Sequence, residues 1–121
     1  MVKLVILIKP QDDMQLFDAG WPQFLHKAEQ MPGLQREATS QIDVMLYGEE
    51  SYLMMHELFF DTQEEAQLAM STPEGQAAGR ILQQLTGGKL VLFFADYKED
   101  DIENLRKYQQ QGGETDINDQ A

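Results

Sequence analysis

The chain contains no cysteine, which excludes disulfides, thiolate zinc sites and thiol nucleophiles. It also has no apolar run of about 18 residues, the length a membrane-spanning helix needs. The apolar run Leu4 to Ile8 is the size of a strand. Met1 leads straight into that run, without the charged, apolar and cleavage-site regions of a secretory leader, so a cytoplasmic location is expected. Positive charge is scarce. Nine basic residues face 21 acidic ones, a formal net charge of −12, and no basic cluster occurs. Such a surface repels phosphate backbones, so nucleic acid is not an expected partner, and the charge serves solubility. Histidine is scarce too. His26 and His56 are the only side chains that titrate near neutral pH without help from their surroundings.

What remains is an ordinary globular composition, 42% hydrophobic over 121 residues, which fits one domain with one core. Residues 1–98 read as the folded unit. Residues 99–121 read as a polar extension, helical in part and mobile from Gly112 onward. Val2–Lys9 is rich in β-branched residues and reads as a strand, closed by Pro10. Phe17, Trp21, Phe24, Leu25, Ala28 and Met31 recur at helical spacing, so Asp12–Met31 is predicted to be mainly helix. Asp12 and Asp13 are its candidate caps, and Pro22 either kinks it or separates a short turn from the main helix. Leu34–Tyr47 alternates in polarity as a strand with one wet face, and Gly48–Ser51 turns into a second strand, Tyr52–Phe60. Thr62 with Glu65 has capping-box spacing and opens a helix to Met70.

Ser71 to Leu92 is the most explicit stretch, reading STPEGQAAGRILQQLTGGKLVL. Thr72 caps a helix, Pro73 starts it, and Gly87-Gly88 ends it before a last strand, Lys89–Tyr97. The resulting order, β-α-β-β-α-α-β, is that of an α+β ferredoxin-like protein: one antiparallel sheet with its helices on one face. Yet Tyr52–Phe60, Lys89–Tyr97 and the first strand carry large apolar residues on both parities. Helices cover one face only, so something else must cover the other. The simplest cover is the same face of a second copy, giving a two-fold homodimer with a shared or paired cavity, and the rival cover is the C-terminal tail folded across the open face.

This order, with FDAGW at 17–21, MPGL at 31–34, ELFFD at 57–61, TPEGQAAG at 72–79 and Thr86-Gly87-Gly88, resembles the EthD-like family of dimeric α+β barrel proteins. The resemblance runs from Val2 to Tyr97 and implies a ferredoxin-like protomer and a dimer. Members have been linked to ether degradation, lactone isomerisation and polyketide-type ring chemistry, and many have no known reaction. Members often carry a histidine on the first helix, about four residues after an aromatic and eight before Pro-Gly. The first count from Trp21 gives Leu25 and the second from Pro32 gives Phe24, so His26 lies one or two residues beyond the family position.

Two residues are nominated for acid–base work. Glu57 shares its strand parity with Leu53, Met55 and Phe59, where lost hydration raises a carboxyl pKa as a general base requires. The structural alternative is an ion pair with Lys3, Lys9 or a partner-chain group. His26 is the second nominee, with a helix position between core and water as its alternative. Trp21, Phe24, Tyr47, Met55 and His56 are the candidate walls of a pocket for a small apolar or aromatic metabolite, although such spacings more often mark plain core. Adjacent strand residues face opposite ways, so if Phe60 packs on the helices His56 goes with it and Glu57 faces the cavity. No metal-ligand spacing, nucleotide fingerprint or cofactor motif is present. The expected role is binding of such a metabolite, extending to cofactor-free proton transfer, isomerisation or oxygenation. The alternative is a non-catalytic binding or assembly module.

Overall fold

The computed structural model describes residues 1–100 and Ile102, so the expected C-terminal extension lies outside the described residues except for Glu99, Asp100 and Ile102. Seven elements follow one another: β1 (Val2–Ile8), α1 (Met14–Ala28), β2 (Arg36–Gln41), β3 (Met54–Phe60), α2 (Gln63–Ser71), α3 (Pro73–Thr86) and β4 (Leu90–Asp96). The strands form one sheet in the order β2-β3-β1-β4, with every pairing antiparallel. This is the ferredoxin-like α+β fold. Among the described residues, no helix is long and apolar enough to cross a membrane.

Register decides what each face of the sheet carries. Ile6 lies between His56 and Leu92, and Leu4 lies between Leu58 and Phe94. The even-numbered residues of β1, β3 and β4 therefore share one face. On it Val2, Leu4, Ile6, Ile8, Met54, Leu58 and Phe60 join Phe17, Phe24 and Ala28 of α1, Ala66 and Ala69 of α2, and Ala78 and Leu82 of α3 in the core. The opposite, outer face carries Lys3, Val5 and Leu7 of β1, Met55, Glu57 and Phe59 of β3, and Val91, Phe93 and Ala95 of β4.

Helix α1 starts where the Asp13 side chain accepts from the Leu16 N–H, so of the two candidate caps Asp13 serves. It runs through Pro22 as a single helix. Thr72 punctuates the next two helices. It ends α2, and its hydroxyl accepts from the Gly75 N–H to open α3. Gly87 closes α3 in the left-handed conformation at φ 59°, which glycine adopts without strain.

Two sequence expectations are corrected. The second strand is much shorter than Leu34–Tyr47. It ends at Gln41, and after Ile42 bonds Leu53 the Leu53 N–H turns to the Ile8 carbonyl, so residues beyond 42 have no strand to pair with. The alternation in Ile42, Val44 and Leu46 belongs to an exposed connection, where Leu46 is 93% accessible. The last strand is not buried on both sides as β1 and β3 are. It is a sheet edge, and Leu92 on one face and Phe93 on the other are each nearly half exposed.

Candidate functional site

His56 is the least expected occupant of the core. It stands in the middle of β3, only 1% exposed, on the helix-facing side with Phe60, as strand parity anticipated. A buried imidazole needs partners for both nitrogens. Its register supplies them, because Thr39 is its cross-strand neighbour and Glu37 lies two residues along on the same face. The Thr39 hydroxyl lies 2.7 Å from Nδ1, and Nε2 lies 2.9 Å from Glu37 Oε1. In the Nε2–H tautomer the hydroxyl donates to Nδ1 and the ring donates to the carboxyl. Trp21 and Phe24 of α1 meet the ring at 5.3 Å and 6.0 Å, edge to face. Trp21 also stacks with Phe17 and Phe24, so three aromatics one helical turn apart form one wall.

The electrostatics of the group follow from burial. Loss of hydration pushes the His56 pKa down to about 4, against the opposing pull of Glu57 and Glu29. Burial pushes Glu37 up to about 7, and a side-chain hydrogen bond with Glu29 at the C-cap of α1, together with the Glu29 charge, adds to the rise. At neutral pH the His56–Glu37 contact is therefore a hydrogen bond of a neutral imidazole and not a salt bridge. A carboxyl that changes charge near pH 7, joined to a fixed imidazole, can take up and release protons under physiological conditions.

The other sequence-nominated residues lie elsewhere. Glu57 is on the outer face, nearly buried and ion-paired with Lys3, which also sits over the Tyr97 ring at 5.2 Å. Arg36 stacks on Phe59 at 3.9 Å beside them and donates to the Tyr97 hydroxyl. The structure thus gives Glu57 the Lys3 partner that the sequence offered as its alternative. His26 is exposed on α1, with its ring 3.0 Å from the Gln30 amide. Met55 points to the outer face, away from Trp21 and Phe24. Tyr47 is 96% exposed in the connection after β2 and is not brought to the aromatic wall. Of the nominated residues, Trp21, Phe24 and His56 come together. Glu37, Thr39 and Glu29 were missed. Pairing the predicted hairpin in register with His56 would have found the first two, since Thr39 then falls opposite the ring.

A shallow cavity of about 370 Å³ lies between Pro32-Gly33 and α2, lined also by Glu65, Leu68, Ser71 and Thr72. It reaches none of these nominated side chains. Among the described residues, no group of three or more His, Asp or Glu side chains is disposed to hold a metal ion.

No family model matches the chain, and no curated protein matches it. Among solved structures it is similar to an ethyl tert-butyl ether d (EthD) family protein of Bacillus halodurans, at 30% identity and a TM-score of 0.74, covering 81% of this chain and 99% of that one. It is similar in fold to a dimeric ferredoxin-like protein of unknown function from Bacteroides fragilis, at 19% identity and a TM-score of 0.58, with 79% and 95% of the two chains covered. SnoaB, a cofactor-independent oxygenase of Streptomyces nogalater, shares the fold at 10% identity and a TM-score of 0.59, with 82% and 94% covered.

Proposed function

The chain belongs to the EthD family, and from that membership and the His56 site we infer that it binds a small apolar or aromatic metabolite as a homodimer and moves a proton on it without a cofactor. The observation that carries the reading is His56, bonded through both ring nitrogens beneath Trp21 and Phe24 and joined to Glu37. Trp21, the partly buried member of the wall, offers an apolar face to a flat ring. The carboxyl of Glu37 is the group that gains and loses the proton, and His56 fixes its position.

Glu37 is faced by Glu29 from α1 and His56 from β3, so its ionisation sets the pH response. As a base it works when deprotonated, so turnover rises with pH through about 7. Glu57 has a different task in this reading. Its pair with Lys3 neutralises two charges on the outer face, which a second copy covers. The dimeric Bacteroides fragilis relative and the apolar outer face support the homodimer.

Proton exchange tests the reading directly. Neutral aryl ketones incubated with the protein in D₂O, followed by NMR, are expected to lose their acidic C–H protons faster than in buffer, and Glu37→Gln should lower that rate by about 10²-fold or more. Saturable quenching of Trp21, the single tryptophan, reports binding separately. Quenching without exchange would reduce the protein to a binding module. Neither signal across the panel would sink the binding reading itself.

A further inference from the structure

A hydroxyl, an imidazole and a carboxyl in series are more than an acid–base pair. Thr39 Oγ1, the two ring nitrogens of His56 and Glu37 Oε1 are linked at 2.7 Å and 2.9 Å, the connectivity by which a base activates a hydroxyl while a carboxylate orients that base. The ring nitrogens are used in the reverse sense of the serine-protease arrangement, with Nδ1 toward the hydroxyl, and the roles are otherwise the same. Position separates the three groups usefully. His56 is buried in the core, so packing fixes its ring, and Nδ1 is approached from the Thr39 side. Thr39, on the edge strand β2, is exposed. The hydroxyl end of the series is therefore open to a ligand, while Glu37 at the other end is only partly exposed.

The edge supplies a second element. The Ile42 N–H bonds Leu53 of the adjacent β3 arm, and antiparallel pairing alternates, so the N–H groups of Ser40 and Ala38 point to β3 and those of Glu37, Thr39 and Gln41 point outward. No strand of the sheet pairs that side of β2. The outward N–H of Thr39 is beside its own hydroxyl, where an anionic oxygen formed by attack on a carbonyl would need a donor.

We propose that Thr39 is a nucleophile, activated by His56 and Glu37, that cleaves small uncharged aromatic esters by transient acylation. Thr39 Oγ1 attacks the carbonyl carbon while its proton passes to His56 Nδ1. The carbonyl electron pair moves to oxygen and is held at the Thr39 N–H. The pair returns, the bond to the leaving oxygen breaks, and that oxygen leaves as the alcohol or phenol with the proton from Nδ1. Water then attacks the acyl-threonine, giving its proton to Nδ1, and the carboxylic acid departs as Thr39 Oγ1 recovers the proton. No oxidant or reductant is needed. The acidic surroundings of the site, Glu29 and Glu37 on a chain of net charge −12, favour uncharged esters over carboxylate-bearing ones.

The proposal rests on the aromatic-wall reading above, and the experiment separates the two. The full-length protein at pH 8.5 is mixed with p-nitrophenyl acetate, phenolate release is followed by stopped flow, and the quenched protein is mapped by peptide mass spectrometry. A burst of one equivalent per chain and a single acetyl group on Thr39 are expected. Thr39→Val, which keeps the β-branched shape, should lose both while its circular dichroism is unchanged. Thr39→Ser should retain both. Acetyl on lysine or the N-terminus instead of Thr39, no burst, or an unchanged burst in Thr39→Val would overturn the assignment. Trp21 quenching by phenol in the wild type is read in parallel. Its retention with no acyl-Thr39 rejects the nucleophile and leaves the binding reading standing, and its absence removes that reading too.

Discussion

Burial presses His56 and Glu37 in opposite directions, and folding stability carries the imprint. Glu37 keeps its proton up to about pH 7, whereas the same carboxyl in the unfolded chain ionises near 4.5. Its contribution is present below pH 4.5 and is lost as the pH rises to about 7. His56 stays neutral down to about pH 4, whereas the unfolded imidazole protonates near 6.5. Its contribution is present above pH 6.5 and is lost as the pH falls to about 4. Between 4.5 and 6.5 the two oppose each other. Glu37→Gln removes one of them, so relative to wild type it should lose stability as the pH falls from 6.5, by up to about 1 kcal/mol per unit. Urea unfolding of both proteins at stepped pH measures the difference, and a constant difference would reject the raised pKa of Glu37. Glu57→Gln gives a contrast. It leaves Lys3 without its charge partner on a partly buried face and should cost about 2 kcal/mol, with the pH response of proton exchange unchanged. At this scale the sequence was half legible. It singled out His56 and the aromatics of α1 by type and spacing, but a strand's own pattern names no cross-strand neighbour. Glu37 and Thr39 looked like members of a wet face until the register put them against the ring.

Helix ends were legible because capping is local chemistry. Asp13, Thr62, Thr72 and Gly87 each act within four residues of their own position. The length of β2 was not, since it depends on where β3 departs to meet β1. The TPEG signature has a steric reason that composition alone hides. Gly75 lies where α3 begins against the end of α2, and a methyl group there would collide with the Ala69 carbonyl and approach the Met70 Cα at 2.7 Å. Gly75→Ala should therefore lower stability by about 1–3 kcal/mol. Gly79, four residues on, has open space around it, so Gly79→Ala should leave stability unchanged or raise it by up to about 1 kcal/mol. Thermal unfolding of the two variants side by side checks the assignment. Equal losses would mean that the junction of α2 and α3 is not tight.

For the molecule as a whole, the outer face poses the main question. Val5 and Phe59 are buried on it within a single chain, while Phe93 remains 42% exposed beside them. Light scattering on the full chain should give twice 13.9 kDa, and Phe93→Lys should reduce it to 13.9 kDa by placing a charge on the apolar outer face. A wild-type monomer would overturn the homodimer. The sheet order has a further consequence, for the making of the protein. β1 leaves the ribosome first, yet it lies between β3 and β4, and its pairing with β4 requires residues 90–96. Until residues 90–96 are made the apolar run Leu4–Ile8 waits with an open edge, so pairing of β1 with β4 sets the pace of folding. A nascent chain stalled before Leu90 has left the exit tunnel should remain open to proteases that the finished protein resists.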